Sequence, residues 1–243
     1  MDPRVKELLN RTYFEQRSQE WLALRENLLT ASDVASALGL NRYESPDALL
    51  HKKVLKKAWA GNEATEHGTK FEPVARDMYD ALTGRKTHEL GLVQHPKWPF
   101  LGGSADGVTE DGILIEIKCP MTRKIENKVP KHYVPQIQLL LEILDLDICD
   151  FVQFRPGTDT APQEFMVTRV TRDREWFEKH LARMQKFWAG VETAREKGLC
   201  EVEPDDQKVC QVLEEDGPLV SAPPENADVS RLQGELLCEV HSA

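Results

Sequence analysis

Apolar and polar side chains alternate along residues 113–118, Ile-Leu-Ile-Glu-Ile-Lys. Period-two spacing predicts a strand in which Ile115 and Ile117 face a core and Glu116 and Lys118 project together on the opposite side. A second strand is predicted over residues 101–108, joined to the first by Thr109-Glu110-Asp111-Gly112, whose Asp-Gly pair suits a hairpin turn. Elsewhere the apolar period is helical. Residues 4–28 read as largely helical, with Ser18 a cap before Trp21, Leu22, Leu24 and Arg25. Ser32 reads as the N-cap of a short helix over 33–38, stopped by Gly39. Ser45-Pro46-Asp47 opens a helix to about Trp59, with Pro at its first position. Further helices are predicted over 65–82, 132–144 and 173–197, the last with Trp176, Phe177, Leu181, Met184, Phe187 and Trp188 as a core or subunit stripe. Strands are predicted over 86–94, 148–155 and 163–170.

The predicted hairpin carries the chemistry. Asp106 lies across from Glu116 and Lys118, so two carboxylates and an ammonium converge. Mg²⁺ is held by one or two carboxylates together with waters and phosphate oxygens, and the Ile117 carbonyl between the acidic residues offers a further oxygen. Such an ion acidifies water and offsets charge on a phosphodiester, and Lys118 beside it can orient or deprotonate the attacking water. A surface hairpin with a Glu–Lys pair is the plain alternative. Gly103-Ser104-Ala105-Asp106-Gly107 upstream and Cys119-Pro120 downstream weigh against it.

Ser-x-Asp-Gly followed by Glu-x-Lys-Cys-Pro resembles the signature of the lambda-type exonucleases, the YqaJ-like viral recombinase family of the PD-(D/E)XK nuclease superfamily. Trp21 to Arg25 with Leu29-Thr30-Ala31-Ser32 resembles that family's N-terminal motif. Gly68 to Glu72 resembles its Gly-x-x-x-Glu helix, and Gln136-Ile137-Gln138 its Gln-x-Gln helix. Ala105 stands where the superfamily usually has Pro, at a position that is not a ligand. The resemblance implies an α/β (α+β) restriction-endonuclease-like core with a mixed central sheet flanked by helices. It also implies a Mg²⁺-dependent 5′→3′ exonuclease on double-stranded DNA, with Mn²⁺ able to substitute, leaving 3′ overhangs. Direct ligands are then Asp106, Glu116 and the Ile117 carbonyl. Glu72 becomes a water-mediated or second-metal carboxylate, and Gln136 a partner of the water or scissile phosphate. Arg25, Ser32 and Ser104 become the pocket for a terminal 5′-phosphate. A ring-shaped homotrimer and a single-strand annealing or recombinase partner are implied by resemblance alone.

Net charge changes the picture only through its distribution. The chain of 243 residues has a formal charge of −10, with 40% hydrophobic and 30% charged residues, a globular composition. From Cys200 onward there are eleven acidic and two basic residues, so the first 199 residues are nearly neutral. Residues 1–199 are therefore read as the nuclease domain and 200–243 as an acidic, disordered tail. A near-neutral domain can hold a basic channel beside an acidic metal site. Arg123 and Lys124, in the basic loop 122–131 just past the metal strand, are candidate phosphate contacts. Lys52, Lys53, Lys56 and Lys57 read as a solvated helix face.

The five cysteines are scattered and include no Cys-x-x-Cys, which argues for a reducing intracellular compartment, the host cytoplasm or nucleus if the chain is viral. No apolar run approaches a membrane span, and the first residues lack the apolar stretch of a signal peptide. His67 and His132 are expected to support the motifs or face solvent. Two other functions compete: a structure-specific or nicking endonuclease on the same metal site, and a non-catalytic DNA-binding recombination scaffold.

Overall fold

The computed structural model describes residues 1–14, 16, 18–56 and 61–198. The acidic segment 200–243 lies outside them. In chain order the elements are α1 (Pro3–Leu9), α2 (Gln19–Glu26), β1 (Leu29–Thr30), α3 (Val34–Ala37), α4 (Pro46–Val54), α5 (Glu63–Thr83), β2 (Thr87–His88), β3 (Val93–Gln94), β4 (Leu101–Gly103), β5 (Gly107–Thr109), β6 (Ile113–Lys118), α6 (Val134–Leu144), β7 (Ile148–Arg155), β8 (Glu164–Thr171) and α7 (Arg174–Lys197). They form a mixed α/β fold.

A five-stranded mixed sheet, ordered β2-β5-β6-β7-β8, lies at the centre. Only its β6–β7 pair is parallel, matching Ile113 with Ile148 and Lys118 with Gln153. That parallel pair requires a crossover, and α6 supplies it. A smaller sheet, β1-β4-β3, stands beside it, with β1 parallel to β4.

The expected strand over 101–108 is two strands in two sheets. β4 ends at Gly103 and β5 begins at Gly107, and the chain changes sheets through Ser104, Ala105 and Asp106. The flanking glycines permit this. A Cβ at Gly103 would lie 2.6 Å from Leu140 Cδ2, and one at Gly107 would lie 2.3 Å from Thr87 Cγ2. The expected strand over 86–94 divides likewise, β2 joining the larger sheet and β3 the smaller.

β6 is covered on both faces. Ile113, Ile115 and Ile117 pack with Ala75 and Tyr79 of α5. Leu114 faces the larger core with Ile137, Leu140 and Leu141 of α6. Tyr79 reaches through this layer and donates to Asp150 Oδ2 of β7 at 2.7 Å. Gln138 closes the far side: its amide donates to the Thr171 carbonyl at 3.0 Å, and its oxygen accepts the Asp173 N–H at 2.7 Å. The aromatic stripe of α7 is core, as its spacing predicts: Trp176, Phe177, Met184 and Trp188 are buried.

The helical reading of 4–28 is interrupted. α1 ends at Leu9 and α2 begins only after Ser18, whose hydroxyl accepts the Trp21 N–H at 3.2 Å. α4 is capped by Ser45 as expected but stops at Val54, before the left-handed Lys56; Trp59 and Lys57 fall outside the described residues. α5 starts at a cap on Asn62 and ends at Gly84, φ 66°. Among the described residues no helix is long and apolar enough to cross a membrane, and Cys119 and Cys149 are free, buried thiols.

Candidate active site

The sheet change places Asp106 beside the end of β6. Leaving the ladder deprives β6 of a backbone partner there, and Asp106 Oδ2 accepts the Ile117 N–H at 2.7 Å instead. Glu116 is fully buried. Its Oε1 receives the Lys118 ammonium and the Gln136 Nε2 amide, the latter at 2.6 Å. Its Oε2 is buried without a hydrogen-bond partner. Lys118 also lies 5.3 Å above the Tyr133 ring. α5 supplies the opposite wall through Gly68 and Glu72, so that Glu72, Asp106, Ile117, Lys118 and Tyr133 line one cleft. Glu72 pairs with Arg76 at 2.9 Å.

The carboxylates oppose one another electrostatically. Burial pushes Glu72 up to about 7, and the nearby Asp106 charge adds to this against Arg76 and Lys118. Burial likewise raises Glu116, with Asp106 adding and Lys118 opposing. For Lys118, burial favours the neutral amine, but Glu116 and Asp106 outweigh it and hold the ammonium. Burial, with Glu72 and Asp106 adding to it, pushes the Cys119 thiol up to about 12, which disfavours the thiolate.

This donor set fits a hard divalent cation. Among the described residues no three His, Cys, Asp or Glu side chains make a ready cage. Mg²⁺ does not need one, since one or two carboxylates and the substrate's phosphate oxygens suffice. The unpartnered Glu116 Oε2 and the mutual repulsion of Glu72, Asp106 and Glu116 are what a bound cation would relieve.

A second group forms where β1 and β4 run parallel. Thr30 is level with Gly102, so Ser32 and Ser104 each follow two residues later at the same end. Arg25 Nη2 donates to Ser32 Oγ at 3.3 Å, and its guanidinium lies 4.5 Å over the Trp21 ring. Among the described residues Arg25 has no carboxylate within ion-pair distance, and Ser104 Oγ is buried without a partner. Ser32 is not a helix cap. Residues 31–33 form a tight turn that follows Thr30 and runs directly into α3, which is only four residues long, and neither has a side-chain cap. The buried Asp33 carboxylate turns inward to Lys53, while Ser32 engages Arg25 and Thr30. Ser32 therefore sits inside the first turn and not at its cap, and its hydroxyl faces Arg25.

The basic residues divide. Arg123 Nη1 donates to Gln153 Oε1 at 2.8 Å, which ties the loop to β7, while Lys124 is exposed beside Glu126. Lys53 is not part of a solvated face: it is buried and donates to Asp33 and to the Arg25 and Leu28 carbonyls. His67 packs on Phe71, and His132 on Tyr133 at 4.1 Å. Tyr133 has no role in the sequence reading, although it stands three residues before Gln136, and Lys53 is placed there in solvent.

The model of the YqaJ-like viral recombinase domain matches residues 20–147, more than half the chain. The chain belongs to the YqaJ-like viral recombinase domain family. The matched span holds every residue of the cleft and of the Arg25 group. This YqaJ-like chain also shares the fold of an alkaline exonuclease from Laribacter hongkongensis, with TM-score 0.64, 28% identity, and coverage of 80% of this chain and 100% of that one. The same enzyme in complex with dAMP matches with TM-score 0.62. Viral relatives include a protein of Acanthamoeba polyphaga mimivirus, 31% identical over 172 residues, covering 63% of this chain and 31% of the relative. A protein of African swine fever virus is 32% identical over 156 residues, covering 51% and 45%. The YqaJ-like chain thus spans less than half the length of these curated relatives.

Proposed function

We propose that this YqaJ-like domain is a divalent-metal-dependent DNA exonuclease that degrades one strand of a duplex from its 5′ end and leaves a 3′ overhang. The observation that carries the reading is the meeting of Asp106, Glu116, Lys118 and Gln136 at one point, with Glu72 across the cleft. The exonuclease activity of the Laribacter enzyme, which has the same fold and has been solved with a mononucleotide, supports it.

Asp106 and Glu116, with the Ile117 carbonyl, would hold Mg²⁺ or Mn²⁺. When bound, that ion supplies an acidified water and offsets charge on the phosphodiester. The chain's own groups do the rest. Gln136 and Lys118 both engage Glu116 Oε1, which fixes the carboxylate and leaves Oε2 for the ion. Lys118 donates toward the attacking water and the charge developing on the phosphate. Glu72 provides a second carboxylate for a water or a further ion. Arg25, Ser32 and Ser104 receive the 5′-phosphate: Arg25 offers a fork of donors, and Ser104 has an unused hydroxyl. Arg123 and Lys124 extend the positive surface toward the strand. Residues 1–199 form the nuclease unit, with 200–243 an acidic appendage.

Linear and covalently closed duplexes, labelled at 5′ or 3′ ends, test this with and without Mg²⁺. The expected result is early loss of the 5′ label, late loss of the 3′ label and an intact circle. Nicking or linearisation of the circle would favour the endonuclease reading, and failure to release nucleotides from any substrate would favour the scaffold.

A further inference from the structure

An aromatic run leads out of the cleft. Tyr133, which lies under the Lys118 ammonium, is backed by Phe151 at 5.6 Å between ring centroids. His132 packs on Tyr133 at 4.1 Å, and Tyr43 meets His132 edge-on at 5.7 Å. Tyr43 belongs to the loop between α3 and α4 and is 68% exposed. The loop is held in place. The Tyr43 N–H donates to Asn41 Oδ1 at 3.0 Å, Asn41 donates to Ser36 Oγ at 3.0 Å, and Ser36 donates to Glu44 Oε2 at 2.7 Å.

Cations flank the run. The Arg42 guanidinium lies 4.6 Å over the Tyr43 ring and also donates to its hydroxyl. Arg42, Arg123 and Lys118 all stand close enough to His132 to oppose its protonation, adding to the effect of burial. Rings for stacking, interleaved with guanidinium and ammonium groups, are the composition of a surface that follows a single strand: bases stack while phosphates meet the charges. A duplex end keeps its bases paired and offers such rings little, and a protein partner would not require cations beside each ring.

We propose that Tyr43, His132 and Tyr133 form a stacking strip for the unpaired bases of a DNA strand entering or leaving the cleft. The assignment rests on the nuclease reading for its biological setting, but its test does not need hydrolysis. Binding of the full chain to a short fluorescent single-stranded oligodeoxynucleotide in EDTA, followed by anisotropy, gives the affinity directly. Tyr43→Ala is expected to weaken it roughly fivefold to a hundredfold, the effect of losing one base–aromatic stack. Tyr43→Phe and Tyr43→Trp should retain it, because the ring and not the hydroxyl does the stacking. A blunt duplex should bind the Tyr43→Ala variant within about twofold of the unmutated chain, since the electrostatic share of binding is untouched.

Equal single-strand affinity for Tyr43→Ala and the unmutated chain overturns the strip, as does an unmutated chain that binds no single strand. Loss of a concentration-dependent dimer or trimer in Tyr43→Ala with unchanged DNA affinity also overturns it, and assigns the ring to self-association. A drop in affinity in a chain that never hydrolyses DNA supports the strip and refutes the exonuclease reading. Normal digestion with unchanged single-strand affinity does the reverse.

Discussion

Lys53 Nζ stands 2.7 Å from Asp33 Oδ2, and both side chains are only 8% exposed. Lys53 also donates to the Leu28 carbonyl at 2.9 Å, and Thr30 donates to Asp33 at 2.5 Å. The pair therefore braces the turn that carries Ser32 and the end of α2 that carries Arg25. Lys53→Met leaves the buried carboxylate with only Lys52, at 3.6 Å, and the Thr30 hydroxyl as partners, and is expected to lower stability by about 3 kcal/mol, read from urea unfolding. A loss below about 1 kcal/mol would mean the pair is not a brace.

The same pair sets an acid limit. Burial pushes the Asp33 carboxyl up, but Lys53 and Lys52 outweigh it and hold the carboxyl below the usual range. Burial draws the Lys53 ammonium down more than Asp33 draws it up. The carboxyl direction is the one that governs acid stability. A depressed folded-state value gives stability that is fully present above the unfolded Asp value, about 3.9, and is lost as pH falls through the lower folded value. Melting temperature should fall across that window in the unmutated chain and fall less in Lys53→Met.

Asp106 accepts the Ile117 N–H and is proposed to hold the metal, and one substitution separates the two. Asp106→Asn keeps an oxygen to accept the Ile117 N–H but loses the charge. It should melt within a few degrees of the unmutated chain while losing Mg²⁺-dependent hydrolysis. Asp106→Ala should lose both, and the contrast is read by calorimetry beside a nuclease assay.

Gln136→Ala frees Glu116 Oε1 from one of its two partners. A loss of about tenfold to a hundredfold in activity or in apparent Mg²⁺ affinity is expected, the effect of removing a group that orients a metal-binding carboxylate. Raising Mg²⁺ should recover part of the rate. An unchanged Mg²⁺ titration curve would remove Gln136 from the account.

Arg25→Ala tests the terminal-phosphate pocket. The unmutated chain should digest 5′-phosphorylated ends faster than 5′-hydroxyl ends, and the variant should treat them alike. Parallel rates in the unmutated chain would contradict the pocket.

Much of the site was legible because its signals are local. Alternation along Ile113–Lys118 fixes which side chains share a face, and Glu116 and Lys118 do meet. Gln136 and Glu72 were reachable only through resemblance, since a polar residue on a helix ordinarily faces water. What was illegible depends on distant partners. Leu101-Gly102-Gly103-Ser104 has no alternation to show that the strand breaks, and the break follows from β1 and β3 pairing with β4. Ser32 has the look of a cap because its hydroxyl precedes an apolar run, yet the turn already begins at Ala31 and the Ser32 hydroxyl meets Arg25 and Thr30 instead. Lys53 itself reads as surface, because nothing near it in sequence reveals the carbonyls it meets.

Mg²⁺-dependent release of nucleotides from a linear duplex, compared between the unmutated chain and a folded Lys118→Ala variant that still binds DNA, tests the metal–lysine cleft most directly. The account predicts release that stops in EDTA and falls about a hundredfold or more in Lys118→Ala. Hydrolysis that continues in EDTA, or a Lys118→Ala variant working at the unmutated rate, would contradict it.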